Sequence, residues 1–95
     1  MVSYRISEAA RADLDRIYRR GVREYGEAQA DRYFDAFFER FEELAAHPYA
    51  YAAVNEIRPG YRRSVCGVDS IYYRVIDGTV EIMCILGRQD VEEWL

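Results

Sequence analysis

The sequence predicts an α+β domain of order βααβββ, in which a helical hairpin packs on one face of a mainly antiparallel four-stranded sheet. Three observations carry this. From 57 to 90 the chain reads as three consecutive strand-like runs with turn residues between them. Asp77-Gly78 separates the last two runs, and both residues tolerate positive φ, which makes it a strong hairpin signal. Upstream, apolar residues recur at helical spacing over two long stretches.

The first strand is predicted over Val2 to Ile6, with Val2, Tyr4 and Ile6 alternating against Ser3 and Arg5. Ser7 suits a helix N-cap, since its hydroxyl can accept from an unpaired amide of the next turn. Glu8 follows where the helix dipole favours negative charge. Ala10, Leu14, Ile17, Tyr18, Val22 and Tyr25 then form the expected inner stripe. Arg11, Asp13, Asp15, Arg16, Arg19, Arg20 and Arg23 are left largely outside. Gly26 is the expected stop. The second helix carries Ala30, Tyr33, Phe34, Phe37, Phe38, Phe41, Leu44 and Ala45 at i, i+3, i+4 spacing. All 4 phenylalanines of the chain lie on this stripe, so it is read as the largest block of the core. His47-Pro48 ends the helix, because the residue before proline is driven out of the α region.

Residues 49–56 show no clean period and read as a loop, with Tyr49 and Tyr51 as partly exposed aromatics. Strands are then expected over Tyr61 to Cys66, Ser70 to Ile76 and Thr79 to Leu86, with a turn near Gly67-Val68-Asp69. The last places Val80, Ile82, Cys84 and Leu86 on one face and Glu81, Met83 and Ile85 on the other. A strand apolar on both faces belongs in the middle of a sheet. Asp90-x-x-Glu93 resembles a capping box opening a short helical turn that carries Trp94.

Length and charge narrow the function. The 95 residues suffice for one core, so residues 1–95 are read as a single domain. Neither a membrane span nor a signal peptide is expected, and the predicted location is cytoplasmic. The net charge of −4 opposes the phosphate binding on which nucleic-acid affinity depends, so no direct sequence-specific nucleic-acid binding is expected. All 13 basic residues are arginine, which suits ion-pair networks and interfaces. Cys66 and Cys84 read as buried small hydrophobes, and the single histidine, His47, as a helix-end residue. Neither a metal nor another cofactor is expected.

The segments YRISEAARADLDRIYRRGVREYG, the long helix ending in LAAHP, RPGYRRSVCG, IYYRV and VEIMCILGRQD together resemble the ParE branch of the RelE/ParE superfamily of type II toxin–antitoxin toxins. The resemblance spans nearly the whole chain and rests on the order and spacing of these segments. It implies a RelE/ParE-like fold, a cognate ParD-like antitoxin and, as target, DNA gyrase. RelE-like cousins instead cleave mRNA on the ribosome, with Lys/Arg and often a Glu, His or Tyr on the sheet face and C-terminal segment. The commonest ending of the superfamily has a basic residue on the last strand and a histidine just after it; here those positions are Cys84 and Gly87. Metal-free RNA cleavage needs a proton acceptor, a proton donor and cations. Arg62, Arg74 and Glu81 are more simply a cross-strand ion-pair ladder. A non-enzymatic, gyrase-binding toxin is therefore expected, with no catalytic residue.

Candidate target contacts are Arg58, Arg62, Arg63, Arg74, Arg88 and Trp94, because exposed arginines and aromatics anchor interfaces. The antitoxin is expected to cover the helical hairpin and a sheet edge, engaging some of Arg16, Arg19, Arg20 and Arg23 through carboxylates. The alternatives are a ribosome-dependent mRNA endoribonuclease and a non-toxic, antitoxin-binding co-repressor.

Overall fold

The computed structural model describes residues 3–87 of the 95. Its elements are β1 (Tyr4–Ile6), α1 (Glu8–Tyr25), α2 (Glu27–Ala46), β2 (Arg62–Cys66), β3 (Asp69–Ile76) and β4 (Thr79–Gly87). Two helices pack on a four-stranded sheet of order β1-β4-β3-β2, with β1 parallel to β4 and the other pairs antiparallel. A parallel pair needs a long crossover, and here the whole helical hairpin lies within it. The class and element order are those expected. Val2 lies outside the described residues, as do Arg88 and the Asp90–Glu93–Trp94 tail. Among the described residues no helix is long and apolar enough to cross a membrane, and no cluster of His, Cys, Asp and Glu forms a metal site.

The turns follow their chemistry. Asp77 and Gly78 both take positive φ between β3 and β4, as a tight hairpin with strand-matched twist requires. Gly26 ends α1 at φ 89 and ψ 164, a region open to glycine alone, and α2 starts at the next residue.

One core lies between helices and sheet, gathering Leu14 and Ile17 of α1, Phe37, Phe41 and Leu44 of α2, and Ile71, Tyr73, Val80, Ile82 and Ile85 of the strands. A smaller one covers the far face of the sheet, where Val54, Ile57 and Tyr61 pack on Tyr72, Cys84 and Leu86. β4 is thus buried on both faces and central.

Its facing departs from simple alternation. Tyr72 pairs with Cys84 but Tyr73 with Ile82, so Met83 is an extra residue in the ladder. Val80 and Ile82 face the helices, yet beyond this bulge Ile85 does so, while Cys84 and Leu86 turn to the other side. The expectation of Val80, Ile82, Cys84 and Leu86 on one face is therefore corrected, since a bulge inverts everything after it.

The bulge sits where β1 runs out and α1 takes over the edge of β4. Ser7 N donates to Ile82 O at 3.0 Å. The Ser7 hydroxyl donates to Met83 O at 2.8 Å while accepting from Ala10 N as the helix cap. Asp13 Oδ2 accepts from Ile85 N at 2.9 Å, and Arg16 donates to Ile85 O at 3.1 Å. Side chains of a helix thereby satisfy backbone groups that a longer β1 would have paired. At the opposite edge β2 is closed by Arg63 N donating to Ala52 O and by Arg40, which donates to Ser64 Oγ and Val65 O. An open strand edge invites pairing with other chains, and both devices blunt it.

Burial pushes the Cys84 thiol up to about 12, with the Asp13 carboxylate adding to it and Arg58 opposing. Burial likewise lifts the Tyr73 phenol to about 12. In both cases the folded value is the higher one, so the stabilisation is complete below the unfolded value and is lost as pH rises through the folded one. Urea midpoints should therefore be flat to about pH 9 and fall between about pH 9 and 12. Burial raises the Cys66 thiol as well, so the double variant Cys66→Ala/Cys84→Ala should delay the onset towards the ordinary tyrosine range, near pH 10. An unchanged onset would mean that neither thiol is held neutral by the fold.

Candidate functional site

Helices α1 and α2 approach closely where Gly21 meets Ala30, and a Cβ on Gly21 would lie 3.2 Å from that of Ala30. A groove of about 720 Å³ opens there between the end of α1, the start of α2 and the β2–β3 turn, lined by Ile17, Tyr25, Ala30, Tyr33, Ala36 and Val68. Arg20, Glu24, Gln29 and Arg32 add its polar groups. Val22, Tyr25 and Val68 are 37%, 63% and 78% exposed. Exposed apolar side chains gathered beside a groove mark an interaction surface. The expectation that Val22 and Tyr25 lie on the inner stripe is corrected: burial along α1 stops at Ile17.

A polar knot holds the groove's sheet-side wall. Asp69, the first residue of β3, is buried, and its Oδ2 accepts from Arg20 of α1 and from Tyr33 of α2, both at 2.9 Å. The Tyr33 hydroxyl also reaches Cys66 O at 2.8 Å and accepts from Val68 N at 3.2 Å. Burial first, and then the Asp69 carboxylate, raises the Tyr33 phenol well above its ordinary value, so it stays protonated and donates. Gly67 faces the Tyr33 ring so closely that a Cβ there would collide with it, and its φ is +62. Arg20, expected on the outside of α1, is half-buried for this reason.

On the sheet face away from the helices, Glu81 of β4 lies opposite both Arg5 of β1 and Arg74 of β3. Arg74 Nε donates to its Oε1 at 2.7 Å, and Arg5 lies 3.8 Å from its other oxygen. The ladder expected to include Arg62 is thus Arg5–Glu81–Arg74. Arg63 is exposed opposite Tyr72, and Arg58 is exposed in the preceding loop, where its charge reaches Cys84. Arg62 points to the other side. It donates to Tyr51 O at 2.7 Å and lies over the Tyr49 ring at 5.0 Å, tying the 49–56 loop to β2. Of the predicted target contacts, Arg58, Arg63 and Arg74 therefore share a face that Arg62 does not, while Arg88 and Trp94 lie outside the described residues.

The four arginines of α1 also separate. Arg16 is engaged by β4 and by Asp13 at 3.5 Å, and Arg19 pairs with Asp15 at 2.9 Å on the surface. Arg20 lines the groove, and Arg23 is exposed in the last turn. Sequence reasoning overlooked Tyr33, Gly67, Val68 and Asp69 as site residues. The available signals were a mid-helix glycine at position 21 and an aspartate in a turn.

The family model described as ParE toxin of type II toxin-antitoxin system, parDE, matches residues 4–92. Toxin ParE1 of Mycobacterium tuberculosis is 35% identical over 91 residues, covering 94% of this chain and 93% of that protein. Toxin ParE1 of Caulobacter vibrioides is 36% identical over 86 residues, covering 90% and 88%. Among solved structures, a chain of the chromosomal ParDE toxin–antitoxin system from P. aeruginosa superposes with a TM-score of 0.80 at 26% identity, over 92% of this chain and 96% of that one. A chain of the RelBE2 toxin–antitoxin complex of Mycobacterium tuberculosis shares the fold, with a TM-score of 0.69 at 22% identity over 92% and 98%.

Proposed function

The chain belongs to the ParE family of type II toxin–antitoxin toxins, and from that premise we propose that it arrests growth by binding DNA gyrase in the cytoplasm and is held inactive by a ParD-like antitoxin. The observation that carries the binding mechanism is the state of Glu81. It is the one carboxylate of β2–β4 on the arginine-bearing face, and Arg74 and Arg5 both neutralise it. A general base must have an oxygen free to reach the proton it takes. The two oxygens of Glu81 instead face the guanidiniums of Arg74 and Arg5. Beside it, Cys84 stays protonated. What that face offers is arginine donors for gripping a protein partner.

The groove supports the second half of the reading. Antitoxins commonly fold a flexible segment onto their toxin, and an apolar groove with Arg32 and Glu24 among its polar groups, Arg20 being held by Asp69, suits a helix or extended segment whose apolar side faces in and whose carboxylates can meet Arg32.

Expression without antitoxin should arrest growth, and the purified chain should inhibit gyrase supercoiling in vitro. Unimpaired gyrase together with toxin-dependent cleavage of ribosome-bound mRNA would replace this mechanism by the ribonuclease one. Absence of growth arrest, with antitoxin binding intact, would instead leave a co-repressor.

A further inference from the structure

We infer that the Tyr33 hydroxyl and Asp69 are positioning residues of the antitoxin groove: they lock the β2–β3 turn so that Val68 stands as a preformed apolar wall. The inference rests on the proposed docking of an antitoxin segment in this groove and says how the site is shaped for it.

The turn is held more tightly than a hairpin closure requires. One phenol bridges Cys66 O, Val68 N and Asp69 Oδ2, three groups within four consecutive residues. Arg20 then anchors the same carboxylate to α1. All three walls of the groove (α1, α2 and the turn) therefore meet at Asp69 Oδ2. The result is a valine, 78% exposed, whose backbone is tied to Tyr33 while its side chain faces solvent. An apolar side chain that the described residues leave this exposed gains little burial from being fixed. Fixed beforehand, it spares a partner the entropy of ordering it.

The arrangement is also not one that stability alone selects. Asp69 Oδ1 is buried and has no hydrogen-bond partner among the described residues. A buried ion pair is weak evidence for stability, since apolar replacements are often neutral or better. Its attested use is to specify one geometry over others. Gly67 adds to this, because any larger residue would displace the Tyr33 ring that lines the groove.

Tyr33→Phe is the discriminating variant: it removes the hydroxyl and leaves the ring as a groove wall. Binding of the purified cognate antitoxin would be measured by calorimetry at a temperature where wild type and variant are both fully folded. Amide exchange at Val68 would be followed in the free chains. The expected result is at least tenfold faster exchange at Val68 and at least tenfold weaker antitoxin binding, with Gly67→Ala weakening binding in the same direction. Affinity within threefold of wild type for Tyr33→Phe would overturn the positioning role, whatever happens to exchange. If the wild-type chain binds no antitoxin, the docking reading itself falls and this inference with it. Wild-type binding that Val68→Ala and Tyr33→Phe both leave unchanged would place the antitoxin elsewhere and sink the inference alone.

Discussion

Phe41→Ala is expected to lose about 3–5 kcal/mol of unfolding free energy, and Phe37→Ala a similar amount. Both rings are fully buried at the centre of the principal core. Phe41 lies tilted against Tyr4 at 5.6 Å, meets Phe38 edge to face at 5.4 Å, and lies 6.4 Å from Phe37. Removing it opens a cavity lined by rings of both α2 and β1. It also takes from β1 its aromatic contact with the helices. That strand is three residues long and pairs with β4 alone, so it has little else to hold it. Urea denaturation would give the value directly. A loss well under 1 kcal/mol for both variants would show that the buried face of α2 has been misassigned, and Phe34→Ala, at a half-buried position, should lose less than either.

Asp69→Ala is expected to destabilise the chain towards the lower end of the ~3–5 kcal/mol typical of breaking a buried ion pair from one side. Its carboxylate is inaccessible while the Arg20 side chain is 29% exposed. The abandoned guanidinium can thus turn to water, which moderates the loss. Removing the unpartnered Oδ1 returns a little more. Against this, Tyr33 loses an acceptor and the first residue of β3 loses its link to both helices. Thermal unfolding of Asp69→Ala, Arg20→Met and the double variant forms a cycle. A coupling energy near zero would mean the pair contributes nothing as a pair. Because Asp69→Ala perturbs stability this strongly, Tyr33→Phe is the cleaner variant for judging partner binding.

Much of the architecture was legible because its determinants are local. The period of α2, the Ser7 cap, the His47-Pro48 stop and the Asp77-Gly78 turn each act within a few residues, and the double-sided apolar run of β4 announces a central strand whatever its neighbours are. The family resemblance was legible for the same reason, as an order of such local patterns. What could not be read was set by contacts between segments distant in sequence. The bulge at Met83 depends on Ser7 reaching across a separation of 76 residues, and the inversion of faces follows from it. Arg16, Arg20 and Asp13 look like any charged helix surface until β4 and β3 are placed beside them. Arg62 and Arg63 are adjacent in the chain and on opposite faces of the sheet, so a list of arginines said nothing about which of them act together.

By itself, then, the sequence determined an α+β chain with a helical hairpin, a central last strand and an aromatic core, because periodicity, capping and turn chemistry are short-range. Only the tertiary structure decided which side chains meet. Val22 and Tyr25 continue a helical stripe that the described residues leave exposed, Val68 is held out by a phenol 35 residues away, and Glu81 is shared between two arginines from different strands. Periodicity states which side of a helix or strand is apolar, but not what lies against it, and the groove and the arginine face are both defined by what lies against what.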